Sequence, residues 1–140
     1  MMTRFLPVFL VLAMIGVILP DSGRAGFSGR LGTWINQVNA NVFEVIPRSS
    51  GSGPVFWCGA ADYAHRGLGA SWSAQLYIAR GRGPSETTKR RSAVQFTLDP
   101  GAAGISPSGP SYSLNSLRVG DHMSVQQAYL YCNQAPMARF

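Results

Sequence analysis

Charge is scarce in this chain: only 13% of its 140 residues are Asp, Glu, Lys or Arg. Histidine and cysteine are scarcer still, at two residues each, and there is a single lysine, Lys89. His65 and His122 form no HxxxH, HExxH or CxxC-type spacing with each other or with the cysteines, so no zinc site is expected. His65 falls near a helix end, where the dipole favours it at the surface, and His122 follows Gly120 and Asp121 in a turn. After residue 25 the acids are Glu44, Asp62, Glu86, Asp99 and Asp121, scattered at spacings that argue for no general acid–base pair. No motif implies a cofactor. No uninterrupted run of about 20 apolar residues exists, so the N-terminal run is short for a membrane-spanning helix, with an uncleaved anchor as the alternative to a cleaved leader.

The apolar run that does exist is short and N-terminal. Phe5 to Leu19 is apolar apart from Pro7 and Gly16, with Arg4 before it and Pro20 and Asp21 after it. Gly23 and Ala25 then place small residues at the −3 and −1 positions of a cleavage site before Gly26. This three-part pattern predicts a secretory signal over residues 1–25, leaving 26–140 as one small exported domain, periplasmic or secreted. With the leader removed no membrane span is expected. No cysteine stands at the cleavage site for lipid attachment. Phe140 ends the chain, but Pro136 breaks any barrel-type terminal strand.

An even cysteine count in an exported chain predicts a disulfide, Cys58 to Cys132. It closes a loop of about 75 residues, worth roughly 4–5 kcal/mol in the chain-entropy model. The competing reading is a cysteine hydrolase. Cys58 lies in the first turn of a predicted helix, where a thiol's pKa falls, and His122 is a distant candidate base with Asp121 or Asn133 to orient it. That reading leaves Cys132 without a role.

The remaining sequence predicts an α+β fold: a small, mostly antiparallel sheet packed with two helices and stapled by one disulfide. Residues 26–33 read as a loose lead-in and Trp34–Ile46 as a strand, with Val42, Glu44 and Ile46 on one face and Phe43 and Val45 on the other. Residues 54–66 predict a helix, with Pro54 at its start and Gly67 and Gly69 as stops. Its apolar face carries Phe56, Trp57, Ala60, Ala61, Tyr63 and Ala64. Gly59 and the alanines suit close packing, and Asp62 with Arg66 suits a surface pair. Ser71–Arg80 and Ala93–Leu98 alternate as half-buried strands, with Trp72 among the core positions and residues 81–92 as a long hairpin tip. Asp99–Ser116 is a Gly/Pro/Ser connection expected to pack over the sheet through Ile105, Tyr112 and Leu114. A last helix, Val125–Asn133, follows Ser124 and Gln127 at capping-box spacing.

Positive charge is the chain's one strong bias. The net charge is +6; the leader holds Arg4, Arg24 and Asp21, a net of +1, which leaves +5 on residues 26–140. Five of the ten cations beyond the leader fall in Arg80–Arg91: Arg80, Arg82, Lys89, Arg90 and Arg91. Gly81, Gly83, Ser85, Thr87 and Thr88 accompany them. Flexible backbone can turn N–H groups toward an anion that the arginines clamp, though the glycine–lysine spacing is not that of a P-loop. The bland counterpart is a solvated loop whose charges block edge pairing. The expected function is therefore a non-enzymatic domain that binds an anionic partner through this loop, an anionic lipid headgroup or an acidic glycan. Nucleic acid is disfavoured by export, although Trp57, Trp72 and Tyr77 are of a type that stacks on bases. A protein–protein module with no charge-driven ligand is the third alternative.

Three segments carry a resemblance: Val55–Ala64 (VFWCGAADYA), Arg80–Ser85 (RGRGPS) and Ser92–Pro100 (SAVQFTLDP). Together they resemble small uncharacterised exported proteins of alphaproteobacteria, over most of residues 40–132. The resemblance implies a periplasmic or secreted location and carries no site residue with it.

Overall fold

The structure is a computed structural model describing residues 26–49, 51–109 and 113–133. The leader read over 1–25, Pro110 and Tyr112 of the long connection, and the tail from Gln134 to Phe140 lie outside the described residues.

Six strands build one antiparallel sheet: β1 (Phe27–Gly29), β2 (Thr33–Gln37), β3 (Phe43–Pro47), β4 (Gln75–Gly83), β5 (Ala93–Thr97) and β6 (His122–Ser124), in the order β1-β2-β3-β5-β4-β6. Two helices, α1 (Gly53–Asp62) and α2 (Val125–Leu130), complete the α+β fold. Side chains alternate between the two faces of each strand. Ile35, Phe43, Val45, Leu76, Ile78, Val94 and Phe96 form one continuous core with Phe56, Trp57, Ala60 and Ala61 of α1 and Val125 and Ala128 of α2. Gly59 is the point of closest approach. A Cβ there would meet Val45 Cγ1 at 2.8 Å and Thr33 Oγ1 at 2.9 Å. Cys58 on α1 is joined to Cys132 in the short 3-10 turn that continues α2. The staple therefore ties the two helices together on this face.

Trp34–Ile46 is a hairpin of β2 and β3 and not the single strand its composition suggests. Asn39 is the reason: its Oδ1 accepts the Asn41 N–H at 2.9 Å, and Val38 N–H reaches Val42 O at 2.8 Å. A side chain that satisfies nearby backbone makes a turn cheaper than a continued strand. The lead-in is also ordered, as β1 and a 3-10 turn at Arg30–Gly32, in which Leu31 and Gly32 take positive φ.

Trp72 is not a core residue. Residues 72–74 turn before β4 begins, with Trp72 O and Ala74 O accepting from Gln126 and Val125 at the start of α2. The indole lies half-exposed, its ring 3.7 Å from that of His65, whose Nδ1 is 2.9 Å from Ala70 O. Asp62 also departs from expectation. It pairs with Arg66 at 2.5 and 2.8 Å, but the carboxylate is fully buried, because the β1–β2 connection packs on it and Arg30 N–H donates to it at 2.9 Å.

The long connection does useful structural work without regular structure. Asn115 Oδ1 accepts the Gly53 N–H at 2.8 Å and so caps α1 from a distance of 62 residues in sequence. Leu117 is buried, Leu114 packs on the core and Ile105 is half-buried. At the far end Ser124 caps α2 by accepting Gln127 N–H at 3.1 Å.

Candidate functional site

The face of the sheet away from the helices is closed by the segment between β4 and β5. β4 runs on to Gly83 through two register shifts, so Arg80 and Arg82 belong to a strand, and the connection itself is residues 84–92. It does not project as a hairpin tip; it folds back over β5, β3 and β2. Glu44 is what it folds onto. This glutamate lies on β3 opposite Asn36 on β2 and Gln95 on β5; it is fully buried and makes no ion pair among the described residues. Its carboxylate accepts from the Ser85 hydroxyl at 2.6 Å, Glu86 N–H at 3.1 Å, Thr87 N–H at 2.8 Å and the Thr87 hydroxyl. Asn36 Nδ2 completes the cluster by donating to Thr87 Oγ1 at 2.8 Å. Burial pushes the Glu44 carboxyl pKa upward, but the hydrogen bonds from Ser85, Thr87 and the two backbone N–H groups outweigh it and hold the pKa below its ordinary value. The hydroxyls and N–H groups of the Ser/Thr-rich loop are spent on a carboxylate of the protein's own.

The five cations of Arg80–Arg91 divide into two sets. Arg80 donates to Pro84 O at 2.6 Å and Ala93 O at 3.3 Å, fastening the base of the loop. Arg82 donates to Gly51 O at 2.8 Å and lies over the Phe56 ring at 4.9 Å. These two arginines serve backbone carbonyls and an aromatic face. Arg90 has both roles: Nη2 donates to Pro47 O at 2.9 Å and Arg48 O at 2.6 Å, while the rest of the side chain borders solvent. Lys89 and Arg91 are exposed on either side of it, and Arg48, at the end of β3, joins them.

Two adjoining depressions result. One, of about 260 Å³, is lined by Trp34, Ile46, Pro47, Arg48, Thr88 and Arg90. The other, of about 410 Å³, is lined by Pro47, Ser49, Lys89, Arg90, Arg91 and Ser92. They share Pro47 and Arg90, so they make one groove with an apolar floor at the Trp34 end and a basic wall at the other. Trp34 is 37% exposed. Its Nε1 edge is packed so closely on Gly26 that a Cβ there would stand 2.1 Å from Nε1. Lys89, Arg90 and Arg91 stand as a run in the sequence, and Trp34 and Arg48 join them in the groove without a comparable signal. The signal was weak: an aromatic and a cation, both next to turns and 14 residues apart.

The alternative catalytic pair is not assembled as a nucleophile and base. Both sulfurs are in the disulfide, and no free cysteine exists among the described residues. His122 is exposed, with Nδ1 3.3 Å from Gln75 Oε1. It lines a pocket of about 250 Å³ with Trp57, Asp121 and Tyr131. Asp121 gives its carboxylate to Ser108 Oγ, Ser116 Oγ and Arg118 N–H, at 3.0–3.3 Å. No group of three or more His, Cys, Asp or Glu among the described residues is placed to hold a metal, and no helix among them is long and apolar enough to cross a membrane.

Comparison with protein-family models, curated proteins and solved structures gives no match for this chain.

Proposed function

We propose that this protein is a non-enzymatic exported domain, periplasmic or secreted, that holds an anionic partner against the groove bordered by Arg48, Lys89, Arg90 and Arg91. The observation that carries the reading is the way charge is distributed. The three buried carboxylates, Glu44, Asp62 and Asp121, are all engaged internally. The four groove cations have no carboxylate partner among the described residues; the ion pairs there are Arg66–Asp62 and Arg118–Asp121. Like charges gathered at one edge repel one another, and an external anion relieves that repulsion. The fixed loop backbone supports the reading too, because Glu44 and Arg90 anchor the segment that carries Lys89 and Arg91 before any ligand arrives. The disulfide and the N-terminal leader pattern support export to an oxidising compartment.

The test is salt-dependent binding to a polyanion. Heparin-agarose retention and titration with phosphatidylglycerol vesicles sample a glycan and a lipid surface at low ionic strength. Wild type is expected to bind at least one of them and to be released as salt screens the contacts. Lys89→Ser with Arg91→Ser, which leaves the Arg90 anchor intact, should weaken binding without lowering thermal stability. Arg82→Ala should do the reverse. Wild type that binds neither polyanion at low salt leaves the cations as a solubility device.

A further inference from the structure

The groove is chemically two-sided, and that narrows its ligand. A bare phosphate ion has no use for the apolar floor made by Ile46, Pro47 and the Trp34 indole. A flat lipid surface does not fill a depression of about 260 Å³ bordered by the Trp34 indole. At about 260 Å³ the Trp34 end lies just under the range of drug-sized sites, roughly 300–1,000 Å³, which is room for one ring rather than several. The adjoining basic end then leaves the ligand somewhere to continue. A pyranose ring matches such a place. Its axial C–H bonds carry slight positive charge and lie well on the negative face of an indole, and its hydroxyl edge turns outward to polar rim groups. Guanidinium groups beside the platform match a carboxylate, the acid group that sugars most simply carry.

Resting on the anion-binding reading above, we infer that the groove binds an acidic oligosaccharide of uronate type. Trp34 lies under one sugar ring, and Arg48 and Arg90 receive its carboxylate. Lys89 and Arg91 meet the acid groups of the next residues. Arg90 reaches the ligand with the guanidinium nitrogens that its two backbone contacts leave over, since both of those use Nη2. Trp34 supplies the selectivity: the cations alone accept any anion, whereas the platform accepts only a ligand with a flat apolar face.

Calorimetric titration of the disulfide-intact protein at low salt decides this, with a galacturonate oligomer, a neutral maltose oligomer of the same length, phosphatidylglycerol vesicles and oligo(dT) as probes. The uronate is expected to bind and the neutral sugar not to bind. Trp34→Leu keeps apolar bulk but removes the platform, and it should weaken uronate binding at least tenfold. Trp34→Tyr keeps an aromatic face and should stay within about threefold of wild type; it also stands in if the leucine variant does not fold. Uronate binding unchanged in Trp34→Leu would overturn the sugar assignment and leave the anion-binding reading intact. Tighter binding of vesicles or of oligo(dT) than of the uronate also overturns the sugar assignment, in favour of a lipid surface or a nucleic acid. No binding of any probe, nor of heparin, overturns both.

Discussion

The two faces of the sheet are closed by opposite chemistry. On one, α1 and α2 bury Phe43, Phe56, Trp57, Leu76, Ile78 and Phe96 against each other, and a disulfide ties the helices. On the other, a nine-residue connection without regular structure lies on a single buried carboxylate, held by hydroxyls and backbone N–H groups. The apolar face tolerates some imprecision, because dispersion and water exclusion have little direction. The polar face does not. Glu44 is stable only if every donor is in place, because a buried carboxylate that loses its partners bears the whole cost of desolvation. The helix-covered face is therefore expected to govern global stability, and the loop-covered face the position of the groove.

The comparison breaks most visibly at the disulfide. Cys58→Ser or Cys132→Ser, or reduction of the wild type, removes a cross-link between residues 74 apart in sequence. The expected loss is about 4–5 kcal/mol in the chain-entropy model, and chemical denaturation of oxidised and reduced protein measures it. The two serine variants should behave alike. A Cys58→Ser protein as stable as wild type would contradict the structural role of the bond. Phe96→Ala removes a fully buried ring that packs at 5.1 Å from Trp57 and 6.1 Å from Phe43, and should cost about 3–5 kcal/mol.

The polar face gives smaller numbers. Glu44→Gln keeps the shape but replaces a charged acceptor with a neutral amide, and should cost about 2–3 kcal/mol. Its signature is local: amide exchange should accelerate at Glu86 and Thr87 while α1 stays protected. Stability should also depend on pH through Glu44 and Asp62. Both carboxyls have pKa values held below the ordinary range, Asp62 because the Arg66 guanidinium and Arg30 N–H overcome its burial. A depressed folded pKa contributes stability that is complete above the unfolded values, about 3.9 for Asp and 4.3 for Glu, and lost as pH falls through the folded ones. Acid titration of the denaturation midpoint should show this loss below about pH 4, and Glu44→Gln should remove part of it. The smallest effect is expected one residue pair away. Gln95 faces Glu44 across β3 and β5, and its buried Nε2 has no hydrogen-bond partner among the described residues. Gln95→Met should change stability by less than about 1 kcal/mol, since it deletes a donor that gains nothing from the fold.

Residues with a local cause for their place were legible in the chain. Ser124 caps α2 because a hydroxyl before a helix finds the N–H three residues on. Val94 and Phe96 share the helix-covered face because alternation on a strand sends them to one side, although β5 is buried on both. The two cysteines pair, as an even count behind a leader-like N-terminal pattern leads one to expect. In the groove, Lys89, Arg90 and Arg91 were visible as a run.

Other placements were decided only in three dimensions. Trp72 continues an alternating pattern on paper, yet the contacts of Trp72 and Ala74 with the start of α2 hold it in a turn before β4. Asp62 and Arg66 have the spacing of a surface pair, but the β1–β2 turn buries the carboxylate. Glu44 left one clue, a single acid inside the apolar run Val42–Ile46. Nothing in that run names Ser85, Glu86 and Thr87, more than 40 residues away, as its partners. Cradle and carboxylate belong to different local patterns, and only the fold brings them together. The sequence determined that residues 54–62 and 125–130 become helices and 93–97 a strand, where the staple lies and that positive charge gathers near residue 90, since all of these follow from the kinds and spacing of neighbours along the chain. The tertiary structure decided that the basic loop closes over Glu44, that Arg80 and Arg82 turn to backbone carbonyls, and that Trp34 stands beside Arg48 and Arg90, because each is a contact between residues whose distance in sequence carries no information about their distance in space.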